Sequence, residues 1–412
     1  MREMDENKKR ILRELINRLH DGVSPQKVKE EFKQFLDDVS PVEIAQIEQR
    51  LVEEGMSREV IQELCDVHLA VFREQLEKQN VDVPLGHPIR ILLEEHRIML
   101  QLAEKLGTVT DKVRQVSDMS YVGDEIQNLE HIAKDLQDSE KHYLREENVL
   151  FPYIEKHGIT EPPAIMWMEH NQIRPKKKQL YTLIEEYNTV GFQDFKVRLS
   201  EIVESLSEFL SSHFFKENNI LFPTALRVIA EDEWKKIKRE FDEIGYCSFT
   251  PSQVIGLLKV EGVKEEEVEE AVKTGEMIQF ETGSLSEVEV EAVLNSLPID
   301  ISFVDKDDRL KYFNKAEERV FVRTKAVIGR KVQLCHPQKS YHVVNDILES
   351  FKSGKKDEAE FWINVKDRLI LIRYFAVRDK DGKYLGTIEV TQDISDIKEI
   401  TGEKRLLDWE AS

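Results

Sequence analysis

The sequence of 412 residues predicts a multidomain chain: an all-α N-terminal module and a four-helix bundle, followed by an α+β domain with a five-stranded antiparallel sheet. Three observations carry this reading. Apolar residues recur at intervals of three to four up to about residue 285, the period of a helix with one buried face. Within that part, His142-Tyr-Leu-Arg-Glu146-Glu-Asn-Val-Leu-Phe-Pro152 returns 71 residues later as His213-Phe-Phe-Lys-Glu217-Asn-Asn-Ile-Leu-Phe-Pro223, which marks a duplicated helical hairpin. From Leu285 the period changes to two, and β-rich segments separated by turn residues follow.

Residues 1–83 read as short amphipathic helices. Ser24-Pro25 and Ser40-Pro41 each place a capping hydroxyl before a proline suited to a first helical turn, and Gly55 with Ser57 marks another stop and start. Val28, Phe32, Phe35 and Leu36, then Ile44, Ile47 and Leu51, supply the buried stripe. His20 and His68 read as structural, so this module carries no visible chemistry.

Residues 84–230 hold the duplicated motif, and each copy is preceded by a Glu-His pair, Glu95-His96 and Glu169-His170. A helix advances about 100° per residue, so His and Glu at i and i+4 stand one turn apart on one face and can reach the same metal pair. A single His-x-x-x-Glu is ordinarily a surface pair worth a few tenths of a kcal/mol, roughly. Two copies in matching context, each ending in Leu-Phe-Pro, point to ligands. Four imidazoles and two carboxylates without cysteine suit first-row ions of intermediate softness, and two facing carboxylates bridge two ions. A dinuclear iron centre of the Fe-O-Fe type fits best, with an open position for dioxygen, nitric oxide or peroxide. The Leu-Phe pairs read as apolar packing over the site, and Pro152 and Pro223 as a kink or helix end.

On these residues, the stretch 84 to about 228 resembles the hemerythrin-like, or HHE cation-binding, domains, in the branch where both long ligand helices carry His-x-x-x-Glu. The resemblance implies His96, His142, Glu146, His170, His213 and Glu217 as di-iron ligands. Oxygen-carrying hemerythrins have a further His and an Asp on the last helix; Glu217 stands here instead, which sets simple reversible oxygen carriage in doubt. The remaining histidines read structurally: His87 as a cap at Gly86-His87-Pro88, His131 as a buried or rim residue, and His157 as a C-terminal dipole contact before Gly158. The block 1–83 resembles domain of unknown function 438, which supplies architecture and no mechanism.

Residues 231–285 read as a helical connector. Trp234, Ile237, Phe241 and Ile244 continue a helix to Gly245, Thr250-Pro251 starts a short one, and the acidic run 264–270 is a solvated face. In 286–400, strands are expected over 299–304, 309–313, 360–365, 369–377 and 384–391, with helices near 315–322 and 341–351 and a hairpin turn at Asp381-Gly382. Two strands, a few helices and three antiparallel strands resemble a PAS sensor domain, and Gly386-Thr-Ile-Glu-Val-Thr-Gln-Asp393 resembles its last strand and acidic exit. Cys335-His336-Pro337 offers a thiolate or an imidazole that could ligate haem iron. Against this stand a loop-before-helix reading of the same step and a small aliphatic core that needs no ligand. Residues 401–412 form a helical tail.

Composition bounds the rest. A formal net charge of -21 argues against nucleic-acid phosphates and anionic membrane as partners, and no apolar run approaches a membrane span. Three cysteines, Cys65, Cys247 and Cys335, show no pairing pattern, so a reducing cytoplasm is expected. The expected function is a cytoplasmic non-haem di-iron signalling protein, a sensor rather than an enzyme. It would sense dioxygen, nitric oxide or peroxide at the bundle and relay the state through the PAS domain to a downstream signalling protein, with homodimerisation through the PAS domain. The alternative is a di-iron enzyme or iron donor acting in nitric oxide or peroxide detoxification or in iron-sulfur cluster repair.

Overall fold

The computed structural model describes residues 83–118, 122–256, 277–317, 319–365 and 367–403, with scattered positions before 83. Most of the expected N-terminal module, with Cys65, His20 and His68, lies outside the described residues, as do the acidic run 264–270 and the tail from 404. The chain divides into two units, Met1–Glu261 and Gly262–Ser412.

In the first unit, α1 (Pro88–Gln115) buries Ile89, Leu92, His96, Met99, Ala103, Leu106, Val109 and Val113, the i+3/i+4 stripe that the sequence spaces out. Its start is capped by His87, whose Nδ1 accepts from the Ile89 N–H at 3.2 Å. Then come α2 (Gly123–Asp138), α3 (Glu140–Arg145), α4 (Phe151–Lys156), α5 (Glu161–Glu185), α6 (Phe192–Lys216) and α7 (Phe222–Val228). α1 packs on α2 and α6, and α5 packs on the same two, closing a four-helix ring around one apolar core. Leu129, Leu136, Ile173, Leu180, Phe195, Leu199, Leu206 and Leu210 fill it, none exposed to solvent.

The two prolines do not end their helices. α3 runs into α4 through a π turn, Glu146–Leu150, and α6 runs into α7 through another, Glu217–Leu221. Phe151 N–H bonds back five residues to the Glu146 carbonyl, and Phe222 N–H does the same to Glu217. Proline lacks the N–H that an α-helix would need at 152 and 223, and the widened turn absorbs the loss while the chain continues. Both π turns begin on a glutamate of the duplicated motif.

Behind the bundle, α8 (Glu231–Ile244) buries Trp234, Ile237 and Phe241 and stops at Gly245, whose φ of 85° is open to glycine at little cost. A short α9 (Ser252–Ile255) follows, tied back to the start of α1 by Gly86 N–H to Val254 O at 2.9 Å.

The second unit carries a hairpin, β1 (Ile278–Phe280) with β2 (Gly283–Leu285), inside the stretch read as a purely helical connector. After α10 (Glu287–Asn295) come β3 (Asp300–Asp305), β4 (Leu310–Phe313), α11 (Tyr341–Lys352), β5 (Glu358–Val365), β6 (Arg368–Arg378), β7 (Tyr384–Asp393) and α12 (Ser395–Lys398). The five strands pair antiparallel in the order β4-β3-β7-β6-β5, as the alternation predicts. Among the described residues of 315–322, however, no helix forms. Arg319 is drawn onto the Asn314 carbonyl at 2.6 Å and Val320 N–H onto Asp300 at 2.8 Å, and these tertiary bonds outweigh local propensity.

The core of this unit is also less aliphatic than expected. Val304, Leu310, Val327, Val332 and Leu348 form an apolar cluster, but Asp300 and Ser302 on β3 and Thr387, Glu389 and Thr391 on β7 are buried as well. At Gly386 a Cβ would run into the Val304 carbonyl oxygen and the Phe303 ring. Gly386→Ala should therefore destabilise this unit by about 3 kcal/mol, the upper range for overpacking, seen as early melting of the sheet in circular dichroism while the bundle helices persist.

Candidate metal centre

Four helices each aim one imidazole at the middle of the bundle. His96 comes from α1, His142 from α3, His170 from α5 and His213 from α6, none more than 1% exposed, and Glu146 and Glu217 join them from the two π turns, fully buried. All six residues picked from the sequence are thus brought together. Atoms of His96, His142, Glu146 and Glu217 lie within 4.8 Å of one another, and so do atoms of His170, His213 and Glu217. Glu217 belongs to both groups. It stands 3.1 Å from His96 Nε2 through one oxygen, and 3.5 Å from His170 Nε2 and 3.3 Å from His213 Nε2 through the other. Glu146 stands 3.4 Å from both His142 Nε2 and His170 Nε2.

The far side of every imidazole is held by an acceptor. His142 Nδ1 donates to Glu95 at 2.7 Å, His213 Nδ1 to Glu169 at 2.7 Å, His170 Nδ1 to Glu147 at 2.8 Å and His96 Nδ1 to the Asn218 carbonyl oxygen at 2.7 Å. These acceptors keep the proton on Nδ1, so the Nε2 lone pairs point inward; His96 Nε2 and His142 Nε2 face each other at 3.0 Å.

The outer partners repeat the duplication. In each copy the Glu before the first His orients the second His, and the residue after the motif glutamate orients the first His of the other copy. Cations one turn beyond the second His, Arg145 and Lys216, hold Glu95 and Glu169 at 2.6 Å. Arg174 holds Glu147 through two bonds of 2.9 and 3.0 Å. Sequence inspection passed over Arg145, Lys216, Glu147, Asn218 and Arg174, although a basic residue three places after each second His was a readable signal. Thr250 escaped as well; its hydroxyl donates to Glu95 at 2.6 Å from the far side of α8 in the chain.

Electrostatics set the two facing glutamates apart. Burial presses the Glu95 carboxyl upward, but the Arg145 charge and the His142 hydrogen bond overcome it and hold it at about 2. Burial likewise pushes Glu217 upward, and the closeness of His213 first, then of His170 and His96, brings it well below the usual carboxylate range. Burial first, then the facing Glu217, raise Glu146 well above that range, and the Arg145 charge offsets only part of this. His142 is depressed to about 3, chiefly by burial.

Rings wall the cluster. Phe214 stacks on His96 with centroids 4.1 Å apart and Phe222 lies over the same ring at 5.3 Å; Tyr143 and Phe151 sit 4.6 and 5.8 Å from His170. The Leu-Phe pairs thus pack over the site, with their phenylalanines against ligand imidazoles. Trp167 and Phe215 are half-buried. His131 is exposed and bonds to the Gln127 carbonyl at 2.7 Å, and His157 pairs with Glu233 at 2.7 Å.

The donor set fits a cation pair. Both oxygens of Glu146 and of Glu217, with Nε2 of His170 and His213, are buried without a hydrogen bond of acceptable geometry. Such groups are costly to bury unless a cation satisfies them. In the second unit, Cys335 is buried with its thiol 3.7 Å from the Lys331 carbonyl oxygen, and His336 Nδ1 donates to the Val332 carbonyl at 2.8 Å.

Three family descriptions match the chain: a family of unknown function (DUF438) over residues 12–78, the hemerythrin HHE cation binding domain over 87–225, and a PAS domain over 290–395. Comparison with curated proteins returns no match. Among solved structures, a C-terminal domain from Streptococcus mutans is 35% identical, covering 30% of this chain and 97% of that one, with a TM-score of 0.29. A PAS domain from Colwellia psychrerythraea is 17% identical, covering 26% of this chain and 97% of that one, with a TM-score of 0.22. The PAS domain of BvgS from Bordetella pertussis is 19% identical, covering 27% and 88%, with a TM-score of 0.23. Among the described residues no helix is long and apolar enough to cross a membrane. The chain thus joins a DUF438 module, a hemerythrin HHE cation-binding domain with buried His and Glu donors, and a PAS domain.

Proposed function

We propose that this chain is a non-haem di-iron sensor of dioxygen, nitric oxide or peroxide, and that its bundle reports to a partner protein through the PAS domain. The observation that carries the reading is the pair of facing, fully buried glutamates ringed by four imidazoles whose Nδ1 atoms are all engaged from behind. His96 and His142 would hold one ion, His170 and His213 the other, and Glu146 and Glu217 would span both. An iron pair so held supplies one-electron redox chemistry and an open position for a small ligand.

The residues of the chain do the rest. Glu95, Glu147, Glu169 and Asn218 fix ring orientation, the setting that outer partners give to metal-bound histidines. Phe151, Phe214, Phe222 and Tyr143 exclude bulk water, which suits an apolar gas over a charged competitor. Sensing requires the bound state to favour one conformation; a swing from 1:99 to 99:1 takes about 5.5 kcal/mol of differential affinity.

The test is an anaerobic preparation of the whole chain, with metals counted per chain and optical spectra recorded during titration with dioxygen and nitric oxide, with and without reductant. Two irons per chain and one stoichiometric spectral change are expected. Continuous gas consumption would instead establish the enzyme alternative, and a Soret band removed by His336→Ala would restore haem ligation in the PAS domain. Failure to retain any transition ion would overturn the reading.

A further inference from the structure

The duplication relates the two halves of the centre, and one half both departs from it and is reached by the segment that follows the bundle. The position served by His96 and His142 has an amide, Asn218, behind His96, where the equivalent place behind His170 carries the carboxylate Glu147. The same position has Glu95 behind His142, and Glu95 is bonded to Thr250, 155 residues along the chain. Each of the three carboxylates also meets a cation on the bundle's own helices: Glu95 meets Arg145 on α3, Glu147 meets Arg174 on α5 and Glu169 meets Lys216 on α6.

Thr250 sits in the segment by which the chain leaves the bundle. Gly245 to Ile255 is laid along the outside of the site: Ser248 N–H bonds to Asp138, Cys247 is buried beside Arg145, Phe249 packs on the bundle core, and Val254 O accepts from Gly86 N–H. Arg145 lies between the rings of Phe241 and Tyr246, 5.4 and 4.9 Å from their centroids. A continuous path of hydrogen bonds therefore runs from the departing segment to a metal-facing imidazole, Thr250 Oγ1 to Glu95 to His142 Nδ1, with lengths of 2.6 and 2.7 Å.

We propose that Thr250 is a positioning residue of the metal centre: through Glu95 and His142 it ties the exit segment to one of the two metal positions, so that position and segment set each other's state. The inference rests on the di-iron reading above and names its route of regulation. The physics is competition for one carboxylate. Were a bound ion to become more positive, His142 would press its Nδ1 proton further onto Glu95, and Glu95 would hold the Thr250 hydroxyl less tightly. Conversely, a donor on Glu95 withdraws charge that would otherwise make His142 a stronger ligand. Coupling of this kind is reciprocal, so what the ion does to the segment the segment does to the ion.

The experiment uses the full chain loaded anaerobically with iron alone, as wild type, Thr250→Val and Thr250→Ser. Redox titration followed optically and by electron paramagnetic resonance resolves the two one-electron steps, and hydrogen exchange follows amides 246–256 in the oxidised and reduced states. Thr250→Val should keep two irons and lower one step only, by roughly tenfold in the reduced-to-oxidised ratio at fixed potential, about 59 mV for one electron. Thr250→Ser should restore it. Exchange at 246–256 should differ between redox states in wild type and cease to differ in Thr250→Val. Unchanged steps, equal movement of both steps, or no rescue by serine overturns the proposal while leaving the di-iron reading standing; a wild-type chain that holds no iron removes both.

Discussion

Glu217→Ala is expected to strip more metal from the chain than Glu146→Ala does. The asymmetry follows from reach. Glu217 approaches three imidazoles through both of its oxygens, His96 by one and His170 and His213 by the other, while Glu146 approaches only one imidazole of each group, His142 and His170, and both through a single oxygen. Losing an outer partner of a ligand ordinarily costs 10–100-fold in affinity, so losing the shared carboxylate itself should exceed about 100-fold. Elemental analysis after dialysis against a weak chelator reads the outcome directly. Equal metal content in the two variants would show that the glutamates are equivalent, against the geometry.

Arg145→Met should be the most damaging change outside the ligands. Arg145 is fully buried, bonds both oxygens of Glu95 at 2.7 and 2.6 Å and also donates to the Lys141 carbonyl. Removing one partner of a buried ion pair strands the other charge, at a cost of about 3–5 kcal/mol. Hydrogen exchange of the α1 and α3 amides isolates the bundle from the rest of this multidomain chain, for which a single unfolding free energy is not defined. Adding Glu95→Gln should recover part of the loss, because the stranded charge disappears with it. A double variant no more stable than Arg145→Met would locate the damage in lost packing against Phe241 and Tyr246.

The convergence of His and Glu residues in the bundle was legible because its logic is local. Any helix places i and i+4 on one face, so His142 with Glu146 and His213 with Glu217 could be paired before any coordinates existed, and the duplication supplied the partner helices. Element order in the PAS domain was legible for the same reason, since period two is a property of a single strand. The π turns were not, although Pro152 and Pro223 announced trouble. Whether a missing N–H ends a helix, kinks it or widens one turn depends on what the continuing chain can pack against, here the apolar cover provided by Phe151 and Phe222.

Two failures in the second unit share one cause. Residues 315–322 have helical propensity, yet Asp300 and Asn314 capture their backbone and Arg319. On β7 the polar Thr387, Glu389 and Thr391 are the buried set while Leu385 is exposed. Alternation tells that a strand has two faces and is silent on which one meets the core.

By itself, then, the sequence determined the helical and strand periods, the duplication, and the two His-x-x-x-Glu pairs that each share a helix face, because each of these is set by spacing along one segment. Only the tertiary structure decided what stands behind those donors. Glu95 meets His142 across 47 residues and Thr250 across 155, and Asn218 meets His96 across 122. A hydrogen bond asks for about 3 Å and a direction, and no periodicity in a chain specifies either between segments that only packing brings together.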